Sequence, residues 1–401
     1  MWGVGLALNI RFAAGELLVV GVSGTELTGL ERAWVRLVRP AGIILFKRNI
    51  VNAGQTRELL REATGLCAQH SLRCVDVEGG TVDRLRDALA AMPSAQDVGR
   101  AMNALRVDGR PSFPALSPEK GRKNGARSLS GGLETSNLAR THGELVGRAV
   151  AAFGFNATLA PVLDLGLAES AAVMGTRAAA ETAEGVVEYG RGFLAGLAAQ
   201  GVAGCGKHFP GLGGGTLDSH LETPSIGRTM QEMSREDLVP FRALRDELPM
   251  VMVNHAAYPR TPGGVSPASV SAYWITTVLR KRMGYRGLIF SDDLEMGGIL
   301  KCMPIEEAVV SAVRAGVDLM EICHSPELIL RAYDALLGEA ERSVSFRKML
   351  LARARECSRK RKKLFAGKEA RALSAGPFAA LRKRIVEFGE QVALAQEAGP
   401  A

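Results

Sequence analysis

The sequence predicts an α/β fold, a (β/α)8 barrel of the TIM type, and three observations point there. Short apolar runs recur along the chain, each followed by a polar or charged residue. Amphipathic stretches long enough for helices separate them, and alternating strands and helices imply a parallel sheet. Nearly every run also delivers its polar groups at its C-terminal tip, the face at which barrel sites gather. A doubly wound open sheet is the competing architecture. Its phosphate loop requires GxGxxG or GxxxxGKS after the first strand, and neither pattern stands there.

Seven strand candidates follow in order. Residues 42–46 lead to Lys47, Arg48 and Asn49, and 73–75 to Asp76, then Glu78-Gly79-Gly80. Residues 157–163 end in Asp164, 202–206 in Lys207 and His208, and 250–253 in Asn254 and His255. Residues 287–290 end in Ser291, Asp292 and Asp293, and 317–320 lead to Glu321 and His324. Continuous apolar runs of this kind suit strands covered on both faces. Helices are expected over 53–68, 182–199, 235–248 and 305–315, where the pattern is amphipathic.

The stretch 201–220, GVAGCGKHFPGLGGGTLDSH, organises the rest. It begins as an apolar strand and delivers Lys207 and His208, then passes through Gly211, Gly213, Gly214 and Gly215 to Asp218-Ser219-His220. Those glycines cannot hold one backbone conformation by themselves. In an extended segment residues i and i+2 point the same way, so Asp218 can orient His220 and raise its proton affinity.

Composition bounds the rest. The chain of 401 residues is 47% hydrophobic and 23% charged, an ordinary globular balance. No apolar run reaches the length of a membrane span. The first residues lack a basic segment and a small-residue cleavage site, so no signal peptide is expected. Six cysteines, at 67, 74, 205, 302, 323 and 357, form no CxxC pair, which fits reduced thiols and a cytoplasmic location. The net charge of +8 is uneven: 342–384 carries fifteen Lys/Arg against two Asp/Glu, leaving the remainder mildly acidic. A basic tail of this kind is no sign of a nucleic-acid-binding core. Residues 1–341 are expected to form the barrel, with a Pro/Gly/Ser/Arg-rich loop insertion at 107–136. Residues 342–401 read as a basic helical extension, with surface helices and the block 359–363 on a solvated face. No metal is expected, because no HxxxH or HxH spacing occurs and Lys207 beside His208 repels a cation. No organic cofactor is expected either.

KHFPG at 207–211, DSH at 218–220 and FSDDLEM at 290–296 together resemble glycoside hydrolase family 3. The chain is most similar to its single-domain bacterial β-N-acetylglucosaminidases, which recycle peptidoglycan fragments in the cytoplasm. GIILFKRN at 42–49, DVEGGTVDR at 76–84, APVLD at 160–164 and VMGTR at 173–177 support the resemblance, which covers roughly 20 to 335. It implies a retaining glycosidase acting on an N-acetylglucosamine-containing oligosaccharide or muropeptide. Asp292 matches the family's nucleophile, His220 its acid/base, and Asp218 the residue that polarises it. Asp76, Arg84, Arg177, Lys207 and His208 match its sugar-binding positions. The chain departs from the pattern at Leu212, where the family has His, at Thr176 in place of Asp, and at Thr81 in place of Arg.

The residue chemistry is compatible with these roles without compelling them. A carboxylate at a strand tip can attack an anomeric carbon, and Asp in that position can equally cap a helix. An imidazole can give and then take a proton near neutral pH, and a lone histidine is by default a surface loop residue. The five charged or imidazole groups suit charge-assisted recognition of hydroxyls and an acetamido group, or ion pairs at a barrel rim. Asp164, Asn254 and His255 read as supporting residues. Two competing functions use the same residues: a β-N-acetylglucosaminide phosphorylase with phosphate as acceptor, and a catalytically silent sugar-binding barrel.

Overall fold

The structure is a computed structural model that describes residues 2–107, 135–215, 224–367 and 375–397. Asp218, His220 and nearly all of the expected insertion at 107–136 lie outside the described residues. Eight parallel strands close a barrel: β1 (Leu18–Gly21), β2 (Gly42–Leu45), β3 (Leu72–Val75), β6 (Ala157–Thr158), β7 (Ala203–Phe209), β8 (Met250–Val253), β9 (Leu288–Asp293) and β10 (Leu319–Ile322). Each pairs with the next, and β10 returns to β1 through Val19 and Glu321. A small antiparallel pair, β4 (Val77–Gly79) and β5 (Val82–Asp83), follows the C-terminal end of β3. The sequence expectation of a TIM-type barrel is met.

All seven expected runs supply barrel strands. The eighth, β1, escapes the pattern because it ends on Gly21 and carries no polar tip. A Cβ on Gly21 would lie 1.9 Å from the Cys323 carbonyl oxygen, so the closing strands approach too tightly for any side chain. β6 is shorter than expected, although Val162 regains a bridge to Lys207. β7 runs longer: Lys207 and His208 lie inside it, where the ladder to β8 shifts register between Gly206 and Phe209.

The helices start where the sequence can cap them. Asn52 accepts the Gln55 amide ahead of Ala53–Thr64, and Thr182 accepts the Gly185 amide ahead of Ala183–Ala199. Ile305–Ala315 ends on Gly316, whose φ of 116° only glycine adopts readily. The helix expected over 235–248 is instead two short ones, Met230–Arg235 and Leu238–Ala243. Pro240 has no N–H for a continuous helix to use. Between the two helices, Asp237 is buried in an ion pair with Arg228.

The basic block 359–363 corrects the expectation of a solvated face. Arg359, Lys362 and Lys363 are exposed, but Arg361 is fully buried. In the helix Val344–Phe365, Arg361 donates through Nη1 to the carbonyls of Ala41, Gln69 and His70 and pairs with Glu16. Lys360 donates to the Gly287 carbonyl at 3.0 Å and to Asp318 at 3.1 Å. Those acceptors precede β2, β3, β9 and β10, so this helix crosses the N-terminal mouth of the barrel, opposite the strand tips. The last helix, Ala375–Glu397, buries Leu381, Ile385, Phe388, Val392 and Ala395 on one face. That face packs against Ala95–Val107 and Thr135–Ala152.

Removing one partner of a buried charged network strands the others. Arg361→Ala is therefore expected to lower unfolding free energy by about 3–5 kcal/mol in urea denaturation at pH 7. Arg361→Met, which keeps the apolar stem, should lose less. A loss for Arg361→Ala below about 1 kcal/mol, the scale of an exposed pair, would show that the base does not depend on it.

Candidate active site

A cavity of about 490 Å³ opens at the C-terminal ends of the strands, a size that suits a small ligand. Asp76, Arg84, Arg177, Lys207, His208 and Asp292 all line it, so the structure brings together every expected site residue that it describes.

β7 carries Lys207 into this cavity, and its ammonium bridges Asp76 at 2.9 Å and Glu78 at 2.6 Å. Burial opposes the charge, but Asp76 and Glu78 outweigh it and raise the Lys207 pKa. Glu78 receives Arg177 in a two-pronged pair, Nε at 2.8 Å and Nη2 at 2.9 Å. Burial works against ionised Glu78, yet Arg177 and Lys207 hold its carboxyl well below the usual range. Arg177 is in turn raised: burial disfavours it, and Glu78 overcomes that penalty. The turn after Glu78 requires glycine, since Gly79 has a φ of 95° and a Cβ there would lie 2.1 Å from the Pro93 carbonyl oxygen.

His208 continues the network. Its Nδ1 lies 2.6 Å from Asp164 Oδ2, which also accepts the His208 amide at 3.0 Å. Its Nε2 lies 3.3 Å from Arg177 Nη2. A proton on Nδ1 satisfies the contact to Asp164. The other Asp164 oxygen accepts the Leu212 amide at 2.7 Å, which pins the start of the glycine-rich loop. Asn254 donates to the His208 carbonyl at 2.9 Å, and the Tyr258 hydroxyl donates to the Gly211 carbonyl at 2.8 Å. Asp164 and Asn254 thus hold the chain that runs toward Asp218 and His220. Arg84 sits more loosely, 4.0 Å from Asp76.

Asp292 lies near the end of β9 and accepts the Asp293 amide at 3.0 Å. Burial opposes its ionisation, but His208, His255, that amide and Lys207 together hold its carboxyl below the ordinary range. Asp293 goes the other way, to about 7, through burial and the nearby Glu295 and Asp292 charges. His255 is buried, with Nδ1 at 2.7 Å from Ser269 and Nε2 at 2.9 Å from the Asp293 carbonyl oxygen, so it supports the tip of β9. Two adjacent aspartates are thereby pushed apart, one toward the anion and one toward the acid.

The sequence reading noted Glu78 at a strand tip but gave it no role. The available signal was Asp76-Val77-Glu78, two carboxylates at strand spacing. Asp293, Glu295 and His324 are close enough to hold a cation, but the Glu295 carboxylate is taken up by the amides of Cys323, His324 and Ser325.

A model of the glycosyl hydrolase family 3 N terminal domain matches residues 10–345. A beta-hexosaminidase from Stenotrophomonas maltophilia is 33% identical over 325 residues, 81% of this chain and 88% of the relative. One from Xanthomonas oryzae is 34% identical, over 80% of this chain and 87% of its own. A glycoside hydrolase family 3 β-N-acetylglucosaminidase from Paenibacillus is similar in structure, with a TM-score of 0.78 at 28% identity over 94% of this chain and 68% of that one. NagZ from Neisseria gonorrhoeae, solved with N-trifluoroacetyl-D-glucosamine, gives 0.71 at 27% identity, over 94% and 98%.

The Glu78 pairs set a pH dependence. A depressed carboxyl adds stability that is complete above the unfolded pKa, roughly 4.3, and is lost as pH falls toward the lower folded value. Glu78→Gln is expected to cost about 3 kcal/mol at pH 7. The gap to the parent should stay flat down to about pH 5 and narrow below it. Unfolding curves from pH 3 to 8 check this, and a gap that widens on acidification would contradict the assignment.

Proposed function

The chain belongs to glycosyl hydrolase family 3, and from that premise we propose that this glycoside hydrolase is a retaining exo-β-N-acetylglucosaminidase that removes terminal N-acetylglucosamine from peptidoglycan-derived fragments. The observation that carries the reading is Asp292, kept ionised in a cavity whose walls bear Lys207, Arg177 and His208. A permanent carboxylate is what attack on an anomeric carbon requires. The relatives named beta-hexosaminidase and the neighbour solved with an N-acylated glucosamine favour an aminosugar in the cavity.

In this reading Asp292 attacks C1 of the sugar while His220 protonates the leaving oxygen, and a glycosyl-Asp292 ester results. His220, now neutral, then takes a proton from water, whose oxygen attacks C1 and releases Asp292. Asp218 orients His220 and raises its proton affinity through both steps. Asp76, Arg84, Arg177, Lys207 and His208 bind the sugar's hydroxyls and acetamido group. Residues 1–341 supply this unit, and 342–401 are its basic helical extension.

The test is release of 4-nitrophenol from its N-acetyl-β-glucosaminide, with and without phosphate. Hydrolysis independent of phosphate is expected, and Asp292→Ala should lose at least about 10⁴-fold in kcat. His220→Ala should lose far more on a poor leaving group than on 2,4-dinitrophenolate, which needs little protonation. With the activated substrate a burst of phenolate should appear as deglycosylation becomes limiting. An Asp292→Ala variant with a tenth of parental activity, or equal His220→Ala losses across leaving groups, would overturn the respective role.

A further inference from the structure

A buried ion pair lies beneath the glycine-rich loop. Asp237 stands in the break between Met230–Arg235 and Leu238–Ala243 and is only 2% exposed. Its Oδ2 lies 2.9 Å from Arg228 Nε, and among the described residues Arg228 is its one paired cation. Losing that cation would leave an uncompensated buried charge. Both groups press on the start of the loop. A Cβ on Gly211 would lie 2.7 Å from the Asp237 Cβ, and one on Gly213 would lie 3.5 Å from its Oδ1. A Cβ on Gly214 would lie 2.6 Å from Arg228 Cδ, and one on Gly215 would lie 2.8 Å from Ile226 Cδ1. Residues 211–215 lead into the segment that carries Asp218 and His220, whereas Ile226 and Arg228 follow it. The two ends of that segment therefore pack against each other, close enough that the contact positions are glycine. Ile226 is anchored in turn, its amide donating to the Ala257 carbonyl at 2.8 Å.

We infer that Arg228 and Asp237 are positioning residues, whose pair fixes both ends of the segment carrying Asp218 and His220 and so sets the reach of the acid/base to the leaving oxygen. This rests on the glycosidase reading above. Neither residue is among those that line the cavity, so the pair acts through the loop rather than on the sugar. Bringing the ends of a chain segment together restricts the chain between them. A proton donor must lie within hydrogen-bond reach of the oxygen it serves, and a shift of about 1 Å caused by a remote change can cost on the order of 100-fold in rate.

The experiment compares kcat/KM, which reports glycosylation, on phenyl and 2,4-dinitrophenyl N-acetyl-β-glucosaminides at pH 7. Asp237→Asn should lose about thirty- to a hundredfold on the phenyl glycoside and less than about threefold on the dinitrophenyl one. Arg228→Met keeps the stem over Gly214 and drops the charge, so it should show the same split, and it carries the test if Asp237→Asn fails to fold. Arg228→Lys, which keeps the cation, should recover most of the loss on the phenyl glycoside. In a His220→Ala background, Asp237→Asn should add less than about threefold, because it acts through that residue. Equal losses on both glycosides, or a full further loss on top of His220→Ala, would overturn the proposal. Hydrogen exchange at the Leu212, Gly215 and Ile226 amides gives a readout independent of activity. It should quicken about tenfold in Asp237→Asn while β8 and β9 keep parental rates. Unchanged exchange would overturn the clamp, whereas a parent inactive on every glycoside whose exchange still responds would sink the glycosidase reading instead.

Discussion

The buried ammonium of Lys207 is the interaction on which the candidate site depends. A lysine at 3% exposure stays charged only with compensating anions, and here they come from two elements, Asp76 after β3 and Glu78 in β4. Because Glu78 also grips Arg177, and Arg177 touches His208, one cation fixes the relative placement of three elements. Asp164 extends the chain of contacts to the Leu212 amide. The start of the glycine-rich loop is therefore held by the same network that shapes the cavity wall.

The two ends of the barrel use charge for different purposes. At the C-terminal mouth, acids and bases pair with one another around a cavity. At the N-terminal mouth, Arg361 and Lys360 spend their donors on strand-end carbonyls and on Asp318. Parallel strands leave unpaired carbonyl and amide groups at their ends, and a helix crossing the base satisfies some of them. Much of the C-terminal basicity is thus divided between a structural face and a solvated one, helix position by helix position.

Within the cavity, similar carboxyls are given different characters by their neighbours. Asp292 faces His208, His255 and Lys207 and is held as an anion. Asp293 and Glu321 are dominated by burial and by other carboxyls, and both are pushed toward the acid. One anion beside two carboxyls pushed toward the acid keeps excess negative charge from assembling in the cavity.

The sequence by itself determined the barrel, the identity of most strands and the residues that meet at their tips. Apolar runs buried on both faces leave no other use for a terminal Asp, Lys or His than the open end of a strand. Strand β1 was not legible, because the signal relied on a polar tip and β1 ends in Gly21. Glu78 was visible but mute: its importance comes from Arg177, distant in sequence, meeting Lys207 at the same carboxylate. The split of the basic block 359–363 was also beyond reach of the sequence. Which residue of a helix faces inward depends on what it crosses, and only the closed barrel places the Ala41, Gln69 and His70 carbonyls beneath Arg361. Side-chain type is local, whereas pairing, burial and protonation belong to the tertiary structure.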